Sequence, residues 1–317
     1  MSISSNSRVL ILTCPADSSA TLVTQELDRR GVGYSRCNPG DFPQSLRLRA
    51  TLDDQWVGFL EGDGEVIDLS AVGCVYYRRP TKFEFASSMS NPEKSFANSE
   101  ARMGFGGVLS SMTKWVNHPA ANAHAQIKPV HLAVARTCEL TVPPTLVTND
   151  PVAAQQFARK HGKIIYKTLS TPSFSDEGKL KVTFSTVADE ADLDNSVSLT
   201  AHLFQKWVDK EFEVRLTVVD EDFFAARIDA SSAESAIDWR SDYESLSYSV
   251  VEVPSKIRSR VGRMMGMLSL RFATMDFIVS PSGEWNFVDL NPNGQWGWIE
   301  KRTQMPISSA LADALTA

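Results

Sequence analysis

The residues best placed to do chemistry lie between Thr274 and Gln295, in the run TMDFIVSPSGEWNFVDLNPNGQ. Two alternating segments flank Pro281-Ser282-Gly283-Glu284 there, the pattern of a β-hairpin. A two-residue Ser282-Gly283 loop would pair Pro281 with Glu284 and, counting back along both strands, Asp276 with Asp289. Directly opposed side chains have Cβ atoms about 4.5–5.5 Å apart, where like charges repel. Asn291 lies two positions beyond Asp289 and so on the same face. Something has to offset the repulsion, and the hard oxygen set Asp276, Asp289, Asn291 suits Mg²⁺, which takes one or two carboxylates and completes its octahedron with water and phosphate oxygens. The alternatives are a solvated acidic face or a loop of another length that shifts the register.

Further upstream, Arg215 and Arg227 lie on strand-like runs that meet across Asp220-Glu221-Asp222. A three-residue loop would set the two arginines opposite each other, and such a pair invites an anion; otherwise they are two exposed strand arginines. Lys167 ends the apolar run Ile164-Ile165-Tyr166, where a charge is uncommon unless it is paired.

These residues need elements to hold them. Arg8 to Thr13 reads as a strand, 19–30 as a helix closing at Gly31, and the stretch near Tyr34 as a further strand. Leu46 to Leu69 alternates and carries turn signals at Asp53-Asp54 and Gly62-Asp63-Gly64, which predicts a meander of two or three strands. Val72 to Tyr77 forms a strand ending in Arg78-Arg79-Pro80, and 92–115 is helical in pattern despite three glycines. One helix is expected over 120–137, another over 151–161, a strand over 163–169 and a loop from Ser170 to Lys181. The region 182–290 is rich in strands, with a helix over 255–270, and a helix starts at about Ile307.

The segment Asp289-Leu290-Asn291-Pro292-Asn293-Gly294-Gln295-Trp296, with Asp276 before it and Trp298 and Glu300 after, resembles the C-terminal metal signature of ATP-grasp ligases. In its NPNGQW form it resembles graspetide (microviridin-type) synthetases. Tyr76-Tyr77-Arg78-Arg79-Pro80, Gln205-Lys206-Trp207-Val208, Glu213-Val214-Arg215 and Asp238-Trp239-Arg240 are similar to that family in order and spacing. The resemblance implies an α/β (α+β) ATP-grasp fold: a pre-ATP-grasp lobe over 1–118, a central lobe over 119–204 and a C-terminal lobe over 205–317. ATP and Mg²⁺ are the implied cofactors. Lys128 and Lys167 match the family's nucleotide lysines. The backbone of Lys206, Trp207 and Val208 would meet adenine, with Gln205, Lys206 and Glu213 as side-chain candidates, and Ser170 to Lys181 would cover the phosphates. Asp276, Asp289 and Asn291 would hold the metal, although the family usually has Glu at the position of Asp289. Arg240, Arg215 and Arg227 are the candidate catalytic arginines.

The implied activity is phosphorylation of Asp or Glu side chains on a ribosomally made precursor peptide, leader plus core, followed by attack of a hydroxyl or amine to close a ring. An Asp- and Glu-rich core needs cations, and Arg78, Arg79 and Arg240 are the expected substrate clamps, since a guanidinium can grip a carboxylate bidentately. Otherwise Arg78 and Arg79 merely cap a strand edge beside acids such as Glu84. A homodimer is also implied. Two other functions compete, a ligase joining free amino acids or modifying a protein terminus and a non-catalytic nucleotide-binding module; the retained metal and lysine positions argue against the last.

Composition narrows the field independently. With 43% hydrophobic and 22% charged residues the 317-residue chain reads as an ordinary globular protein. A net charge of −6 without a basic stripe argues against nucleic acid as a partner. No apolar run approaches the roughly 20 residues that span a bilayer, and no GxGxxG or P-loop pattern occurs. Four scattered cysteines without a CxxC pair, and no signal-like start, are the pattern of a reduced cytoplasmic protein. The five histidines lack HExxH spacing and are expected to be structural.

Overall fold

A computed structural model describes residues 8–111, 114–170, 173–176, 179–182, 184–232, 235 and 237–317. Strand β1 (Arg8–Leu12) leads into helix α1 (Ser18–Arg30), whose first turn is capped by the Asp17 carboxylate accepting from the Ser19 and Ala20 N–H groups. The chain leaves α1 through Gly31 at φ 68°, a left-handed conformation that glycine adopts without strain. It then forms β2 (Tyr34–Cys37) and an antiparallel meander of β3 (Leu46–Leu52), β4 (Trp56–Gly62) and β5 (Glu65–Asp68). Next come β6 (Val72–Tyr77), α2 (Asn91–Ser110) and the short β7 (Trp115–Val116). Strands β2, β1, β6 and β7 make a parallel sheet in that order.

In place of one helix over 120–137 there are two, α3 (Pro119–Ala125) and α4 (Lys128–Thr137). Ile127 between them is extended (φ −74°, ψ 108°), and Pro129 in the first turn of α4 has no N–H with which to continue α3. The side chains of Leu132, Ala135, Cys138 and Leu140 then enter the apolar core of the C-terminal sheet.

A second sheet, antiparallel, contains β8 (Thr145–Thr148), β9 (Ile164–Lys167), β12 (Thr186–Ala188) and β13 (His202–Lys206), with α5 (Pro151–His161) packed on it through Ala154 and Ala158. The segment expected as a loop after Lys167 carries a two-stranded hairpin, β10 (Ser173–Asp176) with β11 (Lys179–Val182). The rest of that expected loop, 171–172 and 177–178, lies outside the described residues.

Five antiparallel strands form the C-terminal sheet in the order β16 (Leu246–Val250), β15 (Asp222–Ala230), β14 (Phe212–Val219), β17 (Phe272–Val279) and β18 (Trp285–Asn291). One face packs on α4 and on α6 (Ser255–Met267), the latter through Ile257, Val261, Met264 and Met265. The chain continues through α7 (Gly297–Thr303), for which the sequence carries no separate expectation, to α8 (Ile307–Thr316). The apolar side of α8 is buried in one cluster with β1, α1 and β6 and with Val219 and Phe272 of the C-terminal sheet. Among the described residues no helix is long and apolar enough to cross a membrane.

Candidate active site

A cleft of about 570 Å³ is lined by residues of the sheet that holds β9 and β13, of the C-terminal sheet and of the start of α4. Lys128, Lys167, Gln205, Lys206, Trp207, Val208, Glu213, Arg240, Asp276, Asp289 and Asn291, scattered through the sequence, all reach it. Arg78, Arg79, Arg215 and Arg227 do not line it.

Asp276 and Asp289 are opposed, as expected, but by another route. The loop is Pro281-Ser282-Gly283, closed by Ser280 and Glu284 and turned by Gly283 at φ 81°. Phe277 therefore faces Phe287, and a β-bulge at Val288 restores the register so that Asp289 meets Asp276. In a regular strand Asp289 would follow Phe287 onto the core face; the extra residue keeps it on the cleft. The bulge also directs the Val288 carbonyl to the Lys167 ammonium, 3.3 Å away, which donates as well to Gln205 Oε1 at 3.0 Å. Gln205 is held in turn by its own donation to Thr145 Oγ1 at 2.9 Å. Burial draws the Lys167 pKa below its ordinary value, and the charge of Asp289 opposes that.

Protein cations carry part of the offset that the opposed carboxylates require. Arg215 sits directly across from Asp276 on the neighbouring strand, and its Nη1 donates to both carboxylate oxygens at 2.8 and 3.0 Å. Beside Asp289 lies His131 on α4, with Nε2 3.3 Å from Oδ1 and no hydrogen bond between them. Nδ1 of that ring is 3.0 Å from the Ala125 carbonyl; a carbonyl only accepts, so Nδ1 carries the hydrogen. Burial works to raise the Asp289 pKa, yet His131, Lys128 and Lys167 together hold it well below the usual carboxylate range. The sequence reading makes every histidine structural, and the position of His131 beside Asp289 is one that it missed. The available signal is its position one turn after Lys128 on a helix that starts at that lysine.

The Asn291-to-Gln295 loop is fastened on several sides. Asn291 Oδ1 accepts from the Asn293 N–H at 2.9 Å, and Asn117 donates to the Pro292 carbonyl at 3.2 Å. Asn293 lies between Asn122 and the Tyr77 carbonyl. From the N-terminal sheet and α1, Arg78 donates to the Gly294 carbonyl at 3.1 Å and Ser19 to Gln295 Oε1 at 2.6 Å. Arg78 is 1% exposed and pairs with Asp17. The expected substrate clamp at Arg78 is thus corrected to a buried brace under the loop, with Asp17 and not Glu84 as its acid. Arg79, by contrast, is exposed.

A second correction concerns Arg227. The β14–β15 loop has two residues, so Arg227 opposes Val214 while Arg215 opposes Ala226. The two arginines therefore point to opposite faces of the sheet, and Arg227 pairs with Asp229 at 2.7 Å over the ring of Phe212. Arg240, at the cleft, is held by Asp238 through two bonds of 2.8 and 2.7 Å. Burial pushes the Asp238 pKa up, but the Arg240 guanidinium outweighs it and holds the carboxyl at about 2. At the other end, Lys210 pairs with Glu213, whose burial raises its pKa against that lysine. The N–H groups of Lys206 and Trp207 already donate to the Pro144 and Lys163 carbonyls.

The donor set fits a hard divalent cation: two carboxylates opposed in register and an amide oxygen line a cleft that Lys128 and Lys167 also line. Among the described residues no group of three or more His, Cys, Asp or Glu side chains is arranged to hold a metal ion, so the set rests on two carboxylates and one amide oxygen.

A family model described as the MvdD pre-ATP grasp domain matches residues 8–123. No curated protein sequence matches the chain. Among solved structures, the RiPP-associated ATP-grasp ligase of Chryseobacterium gregarium, in complex with ADP and a leader and core peptide, is 27% identical; the match covers 98% of this chain and 96% of that one at a TM-score of 0.89. Macrocyclase MdnC of Microcystis aeruginosa, bound with precursor peptide MdnA, is 26% identical over 97% of this chain and 99% of its own, at a TM-score of 0.86. The ATP-grasp ligase PsnB, complexed with a phosphomimetic precursor variant, Mg and ADP, is 23% identical at a TM-score of 0.77, with 98% of each chain covered, and bears on the fold alone.

Proposed function

We propose, from the likeness of the whole chain to ATP-grasp ligases associated with ribosomally made peptides and from the pre-ATP-grasp match over residues 8–123, that this chain uses ATP to activate Asp or Glu side chains of a precursor peptide and closes them into ester or amide rings. The observation that carries the reading is the meeting of Asp276, Asp289, Asn291, Lys128 and Lys167 in one cleft. Asp276, Asp289 and Asn291 would hold Mg²⁺, which when bound draws charge from the phosphates. Lys128 and Lys167 stand where they can offset the charge of the transferring phosphoryl group, and such fixed charge is the main contribution a protein makes to this chemistry. With two N–H groups of the 206–208 linker committed, we assign the adenine edge to the backbone at Val208.

The sequence of bonds follows from the chemistry. A substrate carboxylate oxygen attacks the γ-phosphorus and ADP leaves; the acyl phosphate is then attacked at carbon by a hydroxyl or amine, and inorganic phosphate departs. Arg240, fixed in orientation by Asp238, is placed to steady the acceptor carboxylate, with exposed Arg79 as a second contact. We further propose that the protein works in a reducing cytoplasm, where its four unpaired cysteines persist as thiols, and as a homodimer; light scattering on the purified protein checks the latter.

Incubation with ATP, Mg²⁺ and a cognate precursor peptide is expected to release ADP and to lighten the peptide by one water per ring. Release of AMP would overturn the acyl-phosphate mechanism. ADP release that depends on free amino acids, with the peptide mass unchanged, would replace the substrate assignment.

A further inference from the structure

Beside Arg240 the cleft runs into a cluster of aromatic rings that the phosphate chemistry does not use. Trp239 lines the cleft and is 6% exposed, with the Arg215 guanidinium 5.9 Å from its ring. That ring meets Tyr243 edge-on at 5.7 Å and Trp298 of α7 at 5.3 Å, and Trp298 meets Tyr248 of β16 at 5.1 Å. Tyr243 stays 57% exposed despite its contact, whereas Trp298 and Tyr248 are half-buried. Burial raises the pKa of the Tyr243 hydroxyl, which also feels the charges of Arg240, Arg215, Asp238 and Asp276, so this ring lies at the charged end of the cleft. Local bonds hold the rings in place. Asp238 and Asp242 cap two successive short turns, Trp239–Ser241 and Tyr243–Ser245, by accepting from the N–H groups of Arg240 and Glu244, and the Ser245 and Ser235 hydroxyls are bonded at 2.8 Å. Exposed aromatic surface rimmed by charge marks a recognition site, and rings already fixed lose little freedom when a ligand covers them.

We propose that Trp239, Tyr243 and Trp298 form an apolar platform that takes a large apolar side chain of the core peptide, two positions from the Asp or Glu whose carboxylate Arg240 steadies. This rests on the ligase reading given above. The core is the occupant because the platform is continuous with the cleft through Trp239 and starts at the Arg240 guanidinium, the charge that an acidic segment seeks. A carboxylate by itself selects nothing, since every Asp or Glu offers the same group; a neighbouring side chain does select. Along an extended peptide the side chains of residues i and i+2 share a face and stand about 6.5 Å apart, close to the 5.3 and 5.7 Å spacings of these rings. A carboxylate at Arg240 therefore brings the side chain two positions away within reach of the platform, while the one between them points elsewhere.

The test is a ligand-observed NMR titration of the full chain, with ADP and Mg²⁺ present, against acetylated and amidated pentapeptides: Phe-Gly-Asp-Gly-Ala, Ala-Gly-Asp-Gly-Phe, Ala-Gly-Asp-Gly-Ala and Phe-Gly-Asn-Gly-Ala. One of the two peptides that carry both Phe and Asp is expected to bind at least about tenfold more tightly than the peptide without Phe, with the strongest saturation transfer at its ring protons. Tyr243→Ala is expected to bring those affinities within about twofold of each other, and Tyr243→Phe to keep the preference; both variants are expected to bind ADP as the native chain does. Equal affinity of the native chain for the peptides with and without Phe, or no binding of any of them at millimolar concentration, would overturn the proposal. A preference for Phe that survives in both Tyr243→Ala and Trp298→Ala would overturn it as well. The Asn peptide separates the two levels of inference. If it binds as tightly as its Asp counterpart while the Phe preference depends on Tyr243, the platform stands and the carboxylate contact of the proposed function falls; if Asp is preferred to Asn but Phe is not preferred to Ala, only the platform falls.

Discussion

Asp238 sets part of the acid limit of the molecule. An unfolded aspartate titrates near 3.8 and Asp238 in the folded protein at about 2, so the folded state binds its proton less readily. Its stabilisation is complete above about pH 4, is lost as pH falls through about 2, and amounts to about 2 kcal/mol. Asp238→Asn is expected to melt lower than the native protein at pH 7, with the two curves converging towards pH 2; melting temperatures measured from pH 7 to 2 check this, and parallel curves would refute it. The adjacent arginines Arg78 and Arg79 separate in a different assay. Arg78→Ala leaves the Asp17 carboxylate buried without its guanidinium, which costs about 3–5 kcal/mol, and is expected to lower the melting temperature by several degrees. Arg79→Ala is expected to leave the melting temperature in place and to slow ring closure at saturating leader. At this scale the gathering of Asp276, Asp289, Asn291, Lys128 and Lys167 at one cleft is legible from residue type and resemblance. The burial of Arg78 is not, because its acid, Asp17, is 61 residues away in the chain and nothing local marks it.

Local pattern reaches furthest at the level of elements, and its failures there are instructive. The β17–β18 hairpin is legible in its alternation. The Asp276–Asp289 pairing follows in sequence from a two-residue loop, whereas it arises from a three-residue loop together with a bulge, two offsets that cancel. No such cancellation occurs at β14–β15, where an error of one residue in the loop moves Arg227 to the wrong face. Helix α4 merges with α3 in the sequence pattern because both carry apolar periodicity and the extended Ile127 leaves no strong mark. The loop after β18 lies against β17 with little clearance: a Cβ on Gly294 would come within 1.7 Å of Thr274 Oγ1 and 2.7 Å of Thr274 Cβ. Gly294→Ala is therefore expected to push the Asn291 segment off the sheet and to lower turnover at least about tenfold, in line with the sensitivity of catalysis to small misplacements. Thr274→Ala in the same protein removes the closest atom and should restore part of the loss. Turnover of the single and double variants measured side by side decides this, and an unperturbed single variant would show that the loop has room to move.

On the scale of the whole molecule, the N-terminal sheet and the C-terminal sheet share a core through α8. Leu311 is fully buried there among Val9, Val23, Tyr76 and Phe272, and Arg30 of α1 binds Asp313 and Ser309 of the same helix. Leu311→Ala is expected to cost about 2–5 kcal/mol and, because one core serves both ends, to shift a single unfolding transition that probes in either sheet report alike. Two separated transitions would show instead that the lobes unfold independently. The fastening of the Asn291–Gln295 loop has a consequence in time as well as in space. Its hydrogen bonds to Ser19 and Arg78 join residues 276 and 216 positions apart, whereas the hairpin that supports it is local. Contacts of such separation form late, since the chain must close a very long loop before they return any free energy. After dilution from denaturant the strands are expected to recover before the loop does, so fluorescence of a bound ADP analogue should lag behind far-ultraviolet circular dichroism. On that order, until the last segment settles the molecule would be a nearly complete fold without its proposed nucleotide grip, and the capacity for chemistry would arrive as the final event of its maturation.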